Sequence, residues 1–293
     1  MQDIQKKSNS HDAIRISSGQ EQSLVIKTFF ENFNRVKKNI LKQAQFTEIA
    51  AENFRISSVK VNEFIIKEHS IELIMHFIDG FNGADFILHG DRSLSQFLDK
   101  ALSFFLEHEI SQSYVDDVNL EIFQNKFDEI SKDIKSDKFD DILIKIQEKI
   151  AKLPASMKFP IGRCHGDLTL ENIIYNSYDG FVLIDFIDTF LETPLQDVAK
   201  INQDLIFGWS ARNASEELQT KSTLFAVASY PTYAKHLCVI YPEQVKLLTL
   251  FSLIRILPYL KDIENEKWLK TNLRIFLDNY DNHIDNFLNM KDV

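Results

Sequence analysis

The most informative segment of the sequence is the run His165-Gly166-Asp167-Leu168-Thr169-Leu170-Glu171-Asn172, followed by Phe181-Val182-Leu183-Ile184-Asp185-Phe186. Between its two halves, Asp179-Gly180 separates the apolar runs Ile173–Tyr175 and Phe181–Asp185. A turn dipeptide of this kind between two apolar runs predicts a β-hairpin. The hairpin would fold Asn172 and Asp185 back toward a common site.

The residue types in this stretch suit the transfer of a phosphoryl group. That reaction needs an aligned acceptor oxygen and cations placed where negative charge gathers. Asp167 would accept or orient the proton of the acceptor. The side-chain oxygens of Asn172 and Asp185 are hard ligands, which Mg²⁺ prefers. Chance would place the fixed positions of the first motif in a chain of this composition only about 10⁻⁴ times.

The two motifs resemble those of the protein-kinase-like phosphotransferases typified by aminoglycoside phosphotransferases and choline kinases. The resemblance implies that Asp167 is the catalytic base and that Asn172 and Asp185 are metal ligands. It implies Mg²⁺ and ATP as the metal and co-substrate, with GTP as the alternative nucleotide. The partners would be a nucleoside triphosphate and a small hydroxylated acceptor.

Further positions follow from the same resemblance. Ile174 and Ile184 match residues that line the nucleotide pocket. Asp197, in Pro194-Leu195-Gln196-Asp197-Val198-Ala199, matches a structural aspartate that braces the catalytic loop.

The N-terminal region carries weaker signals in the expected order. Leu24-Val25-Ile26-Lys27 resembles the kinase strand whose lysine pairs with the α- and β-phosphates. The following helix, predicted over 35–53, would offer Glu48 to hold Lys27, with Glu52 and Gln45 as alternatives. A polar N-terminal segment, Ser8-Asn9-Ser10-His11-Asp12, resembles the nucleotide loop of the family but lacks glycine.

The residues after the last N-terminal strand resemble the interlobe hinge of the family. Met75-His76-Phe77-Ile78-Asp79-Gly80 would read the adenine edge through its backbone, and His76, Phe77 and Ile78 are the expected nucleotide contacts. Gly80 and Gly83 lie just beyond this segment. Two glycines so close together indicate a flexible connection between the two lobes.

The acceptor is predicted to be small. Only eleven residues separate Asp185 from Asp197, too few for the activation segment with which protein kinases dock a peptide. Gly166 also stands where protein kinases have an arginine. Candidates for acceptor binding are Asp188, Trp209 and Arg212, with Glu192, Tyr230 and Tyr233 less favoured. Asp188 is the best of them because it lies near the metal ligand at the same strand exit, whereas Trp209 and the two tyrosines more often pack in a core.

The pattern along the chain predicts an α+β protein with a bilobal, protein-kinase-like fold. We expect a small β-rich N-lobe over 1–78 and a larger α-helical C-lobe over 79–293. Ala13–Ile16 and Leu24–Phe29 predict a hairpin, and the region from Val118 to Leu153 is predicted to be helical. From Pro194 onward the pattern is helical, with breaks near three prolines.

Composition excludes several classes of protein. The formal net charge is −10, which is opposite to what binding to nucleic-acid phosphates requires. Two cysteines are too few for a disulfide scaffold. The longest apolar stretch is short for a membrane span and contains Arg255 and Pro258. We therefore expect a cytoplasmic protein without a membrane partner, and the sequence leaves its oligomeric state open.

The first hypothesis is a small-molecule kinase that acts on a hydroxyl of a sugar or of an amino alcohol such as choline. An aminoglycoside 3'-type phosphotransferase is the alternative within the same chemistry. A non-catalytic nucleotide-binding scaffold is the alternative from another class, although Asp167, Asn172 and Asp185 are all present. A protein kinase is disfavoured by the short segment after Asp185.

Overall fold

The structure is a computed structural model that describes residues 4–7, 13–18, 23–52, 54–134 and 137–280. The segment Ser8–Asp12, predicted as a nucleotide loop, lies outside the described residues. The strands are, in chain order, β1 (Ile4–Lys7), β2 (Ala13–Ser18), β3 (Ser23–Phe29), β4 (Ile49–Ala51), β5 (Phe54–Ser58), β6 (Val61–Ile66), β7 (Ile71–His76), β8 (Tyr114–Asn119), β9 (Ser156–Ile161), β10 (Ile173–Asn176) and β11 (Gly180–Leu183).

The helices alternate with these strands at first and then dominate. They are α1 (Phe33–Ala44), α2 (Ala84–His89), α3 (Arg92–Ser111), α4 (Glu121–Asp133), α5 (Asp140–Ile150), α6 (Leu195–Ile201), α7 (Glu216–Ser229), α8 (Thr232–Ile240), α9 (Pro242–Ile254) and α10 (Ile263–Asp278). The predicted α+β class, with a β-rich N-terminal region and a helical C-terminal region, is confirmed.

The chain divides into two compact units whose limits differ from the predicted 1–78 and 79–293. One unit comprises Met1–Asn82 and Glu171–Asp188, and the other comprises Gly83–Leu170 and Thr189–Val293. The β10–β11 hairpin belongs to the first unit because β11 pairs in parallel with β5, with Phe181 opposite Ile56 and Leu183 opposite Ser58. Sequence order hides this pairing, since its two strands are more than a hundred residues apart.

The first unit is built on two sheets. Among the described residues, one has the strand order β1-β2-β3-β7-β6 and the other has the order β10-β11-β5-β4. The predicted hairpins β2–β3 and β10–β11 are both formed. Helix α1 packs on this unit through a stripe in which Val36, Ile40 and Gln43 are buried. These positions recur at the spacing of one helical face.

Helix α1 is shorter than the predicted 35–53. It ends at Ala44, and Ile49–Ala51 form β4 instead. Ile49 lies opposite Ile56 of β5, so the apolar residues that continued the helical period are used in a sheet. Tertiary pairing has overridden a local helical pattern here.

The second unit is mainly helical and has an aromatic centre. The ring of Phe123 lies 6.0 Å from that of Phe159 and 5.2 Å, nearly edge-on, from those of Phe190 and Phe251. Helix α9 is buried along its length from Val245 to Ile254 and packs against α6. Several of the 24 phenylalanines therefore serve as core.

Two sequence expectations for the second unit need correction. The region predicted to be helical from Val118 to Leu153 begins in β8, which pairs antiparallel with β9 as a two-stranded sheet. The sequence pattern also predicts Ser93 as the cap of the helix that follows it, but Ser93 lies inside α3. The first turn of α3 is capped by Asp91, whose carboxylate accepts a hydrogen bond from the amide of Leu94. The predicted breaks near Pro231, Pro242 and Pro258 coincide with the ends of α7, α8 and α9.

Within the described part of the chain, no single helix is long and apolar enough to cross a bilayer. The stretches Thr232–Ile240 and Pro242–Tyr259 reach the needed length and hydropathy only when joined across a bend of 112°.

Candidate active site

The catalytic-loop residues lie in the second unit, where α6 holds them. The carboxylate of Asp197, fully buried on α6, accepts hydrogen bonds from the amides of His165 at 2.6 Å and Gly166 at 2.7 Å. Gly166 has a φ of 89°, a conformation that glycine adopts without strain. The predicted bracing of the loop by Asp197 is thus confirmed in its contacts.

Asp167 follows this braced turn. Its amide donates to the Nδ1 of buried His165 at 3.2 Å, and its carboxylate Oδ1 lies 2.9 Å from the Nζ of Lys200 on α6. The side chain of Asp167 is 26% exposed, whereas that of Lys200 is 6% exposed. The candidate base therefore has one face toward a buried cation and part of its surface accessible.

The charge state of Asp167 follows from these neighbours. Burial by itself raises the pKa of the carboxyl, but the positive charges of Lys200 and Arg255 and the hydrogen bond from Lys200 outweigh it. The pKa of Asp167 is therefore lowered below its ordinary value. At neutral pH the side chain is an ionised carboxylate, the form that can accept a proton.

Lys27, Asn172 and Asp185 come together in the first unit. Asn172 directly precedes β10 and Asp185 follows β11, and the amide of Ile184 donates to the carbonyl of Asn172 at 3.0 Å. The ammonium of Lys27 contacts both oxygens of the Asp185 carboxylate, at 2.6 Å for Oδ2. Lys27 is 14% exposed and Asp185 is 40% exposed.

The backbone of Asp185 is held in an unusual conformation. Its φ is 61°, in the left-handed region that few residues other than glycine enter. Its amide donates to the Oε1 of Gln43 at 3.0 Å, and the Nε2 of Gln43 donates to the carbonyl of Val59 and contacts the Sδ of Met75, both at 3.3 Å. Gln43 on α1 thereby ties the end of the hairpin to the core of the unit.

Sequence reasoning did not identify Gln43. It named Glu48 as the partner of Lys27, but Glu48 lies beyond the end of α1, 3.7 Å from the Nε of Arg55. Among the described residues, the carboxylate that pairs with Lys27 is that of Asp185. A signal was present, because Gln43 continues the buried stripe of α1 and a polar residue there needs a hydrogen-bond partner.

The oxygen donors of the hairpin fit a magnesium ion. In the described ranges no cluster of three or more His, Cys, Asp or Glu side chains is arranged to hold a metal. The hairpin instead offers one amide oxygen, from Asn172, and one carboxylate, from Asp185. Mg²⁺ commonly takes one or two protein ligands and completes its shell with phosphate oxygens and water.

The predicted hinge residues and nucleotide-pocket residues also lie in the first unit. His76 ends β7 opposite Leu24, and the amide of Phe77 donates to the carbonyl of Ser23 at 2.9 Å. The other predicted hinge and pocket residues pack against one apolar cluster formed by residues of β7, α1 and β11; they are Ile78, Ile174 and Ile184.

The segment after the hinge is joined to the hairpin by backbone contacts. Phe81 and Tyr175 exchange two hydrogen bonds of 2.9 Å. A side chain at Gly80 would approach the carbonyl oxygen of Tyr175 to 2.6 Å, so this position requires glycine.

The predicted acceptor residues fall in different units. Asp188 lies in the first, where its carboxylate is 3.2 Å from the Nζ of Lys38 and its amide donates to Asn39. Trp209 and Arg212 lie in the second, with the Arg212 guanidinium stacked 3.6 Å above the Trp209 ring. Arg212 also lines a cavity of about 440 Å³, together with Phe207, Thr223, Glu264, Lys267 and Trp268 among others.

The less favoured acceptor candidates have structural contacts. The hydroxyl of buried Tyr230 donates to Asn202 at 2.6 Å, and the carboxylate of Glu192 accepts a hydrogen bond from the amide of Thr189 at 2.8 Å. The backbone amide of Tyr233 on α8 donates a hydrogen bond to the hydroxyl oxygen of Ser103 at 3.1 Å.

The chain was compared with known families and structures. A model described as "Phosphotransferase enzyme family", APH, matches residues 7–230, well over half of the chain. No curated protein gives a significant match.

Solved structures share the fold. A thermostable mutant of aminoglycoside phosphotransferase APH(4)-Ia, in apo form, is similar with a TM-score of 0.61 and 10% identity, covering 96% of both chains. Choline kinase LicA from Streptococcus pneumoniae has a TM-score of 0.57 and 12% identity, covering 96% of this chain and 94% of that chain. The GDP complex of aminoglycoside 2'-phosphotransferase-IIIa has a TM-score of 0.57 and 13% identity, covering 96% and 93%.

These identities are low, so the structural likeness shows the fold alone. The family model carries the assignment, because it spans both the strand of Lys27 and the motifs around Asp167 and Asp185. This chain belongs to the phosphotransferase enzyme family.

Proposed function

We propose that the protein is a small-molecule kinase that transfers the γ-phosphoryl group of ATP, bound with Mg²⁺, to a hydroxyl group of a metabolite. The observation that carries the proposal is that Lys27, on β3, pairs with Asp185 just after β11, while Asn172 directly precedes β10, the strand that pairs with β11. It combines a cation for phosphate oxygens with two oxygen donors for a metal, which is the pairing that phosphoryl transfer uses.

The nucleotide is assigned to the first unit. Lys27 would bind phosphate oxygens, and Asn172 and Asp185 would hold Mg²⁺, which neutralises charge on the phosphates when bound. The Lys27–Asp185 ion pair keeps both side chains extended toward each other before the nucleotide arrives. The apolar residues Ile78, Ile174 and Ile184 would lie against the base.

Asp167 is assigned to the acceptor. The acceptor oxygen forms a bond to the γ-phosphorus while the bond from that phosphorus to the β,γ-bridging oxygen breaks, releasing a nucleoside diphosphate. The proton of the acceptor hydroxyl passes to the Asp167 carboxylate and then to solvent. The lowered pKa of Asp167 supports this role because the carboxylate is ready in its basic form at neutral pH.

The acceptor class is inferred from the cavity in the second unit. Its charged lining residues are Arg212, Lys267 and Glu264, and Thr223 and other hydroxyl and amide side chains lie between them. Such a lining suits the hydroxyl groups of a sugar, with or without an anionic substituent. A quaternary ammonium is less suited, because the face of Trp209 is already covered by the Arg212 guanidinium.

An aminoglycoside is the second candidate acceptor. The fold is shared with the ternary complex of a thermostable APH(4)-Ia mutant with ADP and hygromycin B, at a TM-score of 0.60. The formal charge of −10 also favours a cationic ligand over the whole surface. The two cations that line the cavity oppose this reading.

The test is an assay of nucleoside diphosphate release with ATP or GTP against panels of sugars, amino alcohols and aminoglycosides. We expect release that depends on Mg²⁺ and on a sugar, with Asp167→Asn as the blank. Release with aminoglycosides alone would replace the first acceptor class by the second. Nucleotide binding without release on any panel would instead support the non-catalytic scaffold.

A narrower experiment tests the cavity. Arg212→Met should raise the KM for the acceptor about 10-fold, from the loss of one charge-assisted hydrogen bond, with little change in the KM for the nucleotide. The matched control is Arg274→Met, since Arg274 on α10 pairs with Asp141 and is not among the lining residues. Equal effects of the two variants would remove the acceptor from the cavity.

A further inference from the structure

One face of α6 and of the turn that follows it holds the catalytic loop at three points. Asp197 accepts the amides of His165 and Gly166, Lys200 contacts the carboxylate of Asp167, and Asp204 accepts the amide of Leu170 at 2.6 Å. The three residues of this face, Asp197, Lys200 and Asp204, are spaced at three and four positions. That is the spacing of one helical face.

Sequence reasoning identified neither Lys200 nor Asp204, and of these two Lys200 is the one that contacts the candidate base. Its Nζ lies 2.9 Å from the Oδ1 of Asp167 and donates to the Oε1 of buried Gln203, also at 2.9 Å. The catalytic loop itself contains no basic residue between Asp167 and Asn172. The cation beside the candidate base is therefore supplied from 33 positions further along the chain.

A buried lysine is costly and needs a reason. Taking an ammonium out of water disfavours its charged form, and a buried ion pair is weak evidence for stability because hydrophobic residues often replace it without loss. Burial and the charge of Arg255 lower the pKa of Lys200, although the Asp167 carboxylate raises it in part. An apolar residue at position 200 would avoid this desolvation cost. The interaction with Asp167 is therefore the reason for a lysine at this position.

The charged groups around Asp167 come from three parts of the second unit. Lys200 lies on α6, Arg255 follows α9 and His165 precedes Asp167 in the loop. Asp204 lies near Lys200, and its negative charge opposes the effect of Arg255 on the pKa of Lys200. Removal of Lys200 would leave Asp167 partly buried with its direct ion-pair partner gone.

We propose that Lys200 is a positioning residue for the reaction, one that fixes the carboxylate of Asp167 in a single orientation and in its ionised form. The lysine binds Oδ1, so that the other oxygen of the carboxylate remains for the acceptor hydroxyl. Lys200 keeps its own protons throughout and acts on the acceptor only through Asp167. The proposal rests on the proposed function, in which Asp167 is the base.

The first test compares pH profiles of kcat/KM for the acceptor in the wild type, Lys200→Met and Lys200→Arg. An opposite charge at this distance lowers an aspartate pKa by about 1–3 units, so the acidic limb of Lys200→Met should move to higher pH by about that amount. Its kcat at neutral pH should fall about 10²-fold through loss of alignment. Lys200→Arg should restore the position of the limb.

Lys246→Met is the matched control. Lys246 lies on α9 in the same unit, has a side chain that is also 6% exposed, and pairs with Glu243 at 2.6 Å. It should lose stability without any shift of the pH profile. The proposal is wrong if Lys200→Met loses activity while its pH profile stays unshifted, like the profile expected for Lys246→Met. Lys200 would then be only a structural residue.

A second measurement does not need turnover. A double-mutant cycle of Lys200→Met and Asp167→Asn gives the coupling between the two side chains from free energies of unfolding. The folded-state pKa of Asp167 is lowered, so the coupling should be fully present above its unfolded value of about 3.9 and be lost as the pH falls through the folded value.

The two measurements separate the two proposals. Coupling that is present in a protein without turnover on any panel would refute the proposed function and leave the Lys200–Asp167 interaction standing. Coupling that is absent at neutral pH would overturn the assignment of Lys200, whatever the activity. A Lys200→Met chain that does not fold is replaced in both tests by Lys200→Gln, which retains a hydrogen-bond donor without the charge.

Discussion

Helices α6 and α1 each hold one group of candidate functional residues within their own unit, and they do so by different physical means. Helix α6 is buried on all sides from Leu195 to Ile201 and reaches the catalytic loop through charged side chains. Helix α1 has one buried stripe and reaches the amide of Asp185 through Gln43, which is uncharged. Buried charges act strongly on the pKa of their neighbours, whereas the neutral side chain of Gln43 fixes the position of a backbone amide by a hydrogen bond.

This difference fits the two tasks. The candidate base must be ionised and aligned, and a buried cation provides both. The hairpin must present the amide oxygen of Asn172 and the carboxylate of Asp185, whose negative charge a bound metal would balance. A further fixed cation beside Lys27 would compete with that metal for the carboxylate. Four substitutions test this comparison, ordered by the size of the effect we expect.

The largest effect is expected for Asp167→Asn. Loss of a positioned general base lowers kcat by about 10²–10⁴-fold, while binding of a nucleotide analogue in the first unit should persist. The measurement is single-turnover phosphoryl transfer with a parallel titration of the analogue. Turnover at the wild-type rate would contradict the assignment of Asp167 as base.

Lys27→Met should weaken nucleotide binding about 10- to 100-fold, which corresponds to ~1.5–3 kcal/mol for a hydrogen bond to a charged group. Lys38→Met is the control, because Lys38 pairs with Asp188 in the same unit but is two-thirds exposed and such pairs contribute little. Calorimetric titration with an ATP analogue and Mg²⁺ measures both. Equal affinities of the two variants would remove Lys27 from the nucleotide site.

Gln43→Leu should lower the free energy of unfolding by about 1–3 kcal/mol. The variant leaves the buried carbonyl of Val59 and the amide of Asp185 without their partner. Gln45→Leu, at the exposed end of α1, is the control, and denaturant titration is the measurement. A Gln43→Leu protein as stable as this control would show that α1 does not hold the hairpin through Gln43.

Asn39→Ala should have the smallest effect, about 0.5–1 kcal/mol of unfolding free energy. Its side chain accepts a hydrogen bond from the amide of Asp188 at 2.7 Å, at a site that is only partly buried, where water can replace it. The comparison of Asn39→Ala with Gln43→Leu measures how much of the support from α1 comes from its buried stripe. A larger loss for Asn39→Ala would reverse our description of α1.

The parts of the fold that depend on local signals were predictable from the sequence. Asp179-Gly180 marks the β10–β11 hairpin because glycine adopts the positive φ that a tight turn needs. The prolines at 231, 242 and 258 mark helix ends because proline restricts the backbone wherever it occurs. The contacts of Asp197 with the catalytic loop were predicted from family resemblance rather than from physics.

The parts that depend on pairing across the sequence were not predictable. The helical pattern through Ile49 gave a helix that the structure ends at Ala44, since only the presence of β5 makes Ile49 a strand residue. For the same reason Glu48 was placed on α1 and assigned to Lys27. Gln43 and Lys200 were not predicted because each is a buried polar residue whose hydrogen-bond or ion-pair partner lies far away in the sequence.

Just after α6 the helix widens over Asn202–Ile206, where the amide of Phe207 bonds the carbonyl of Asn202, five residues earlier. Helices of this kind accommodate about one residue more per turn than the regular form and are frequently found at functional sites. The extra residue sets the register of everything that follows. Deleting one residue between 202 and 206 would restore regular winding and turn the downstream chain by about 100°.

The Asp204 carboxylate, which accepts hydrogen bonds from the amide of Leu170 and from the amide and hydroxyl of Ser210, would then lose one of these two partners. Substitutions in this segment should therefore be tolerated far better than any change in its length.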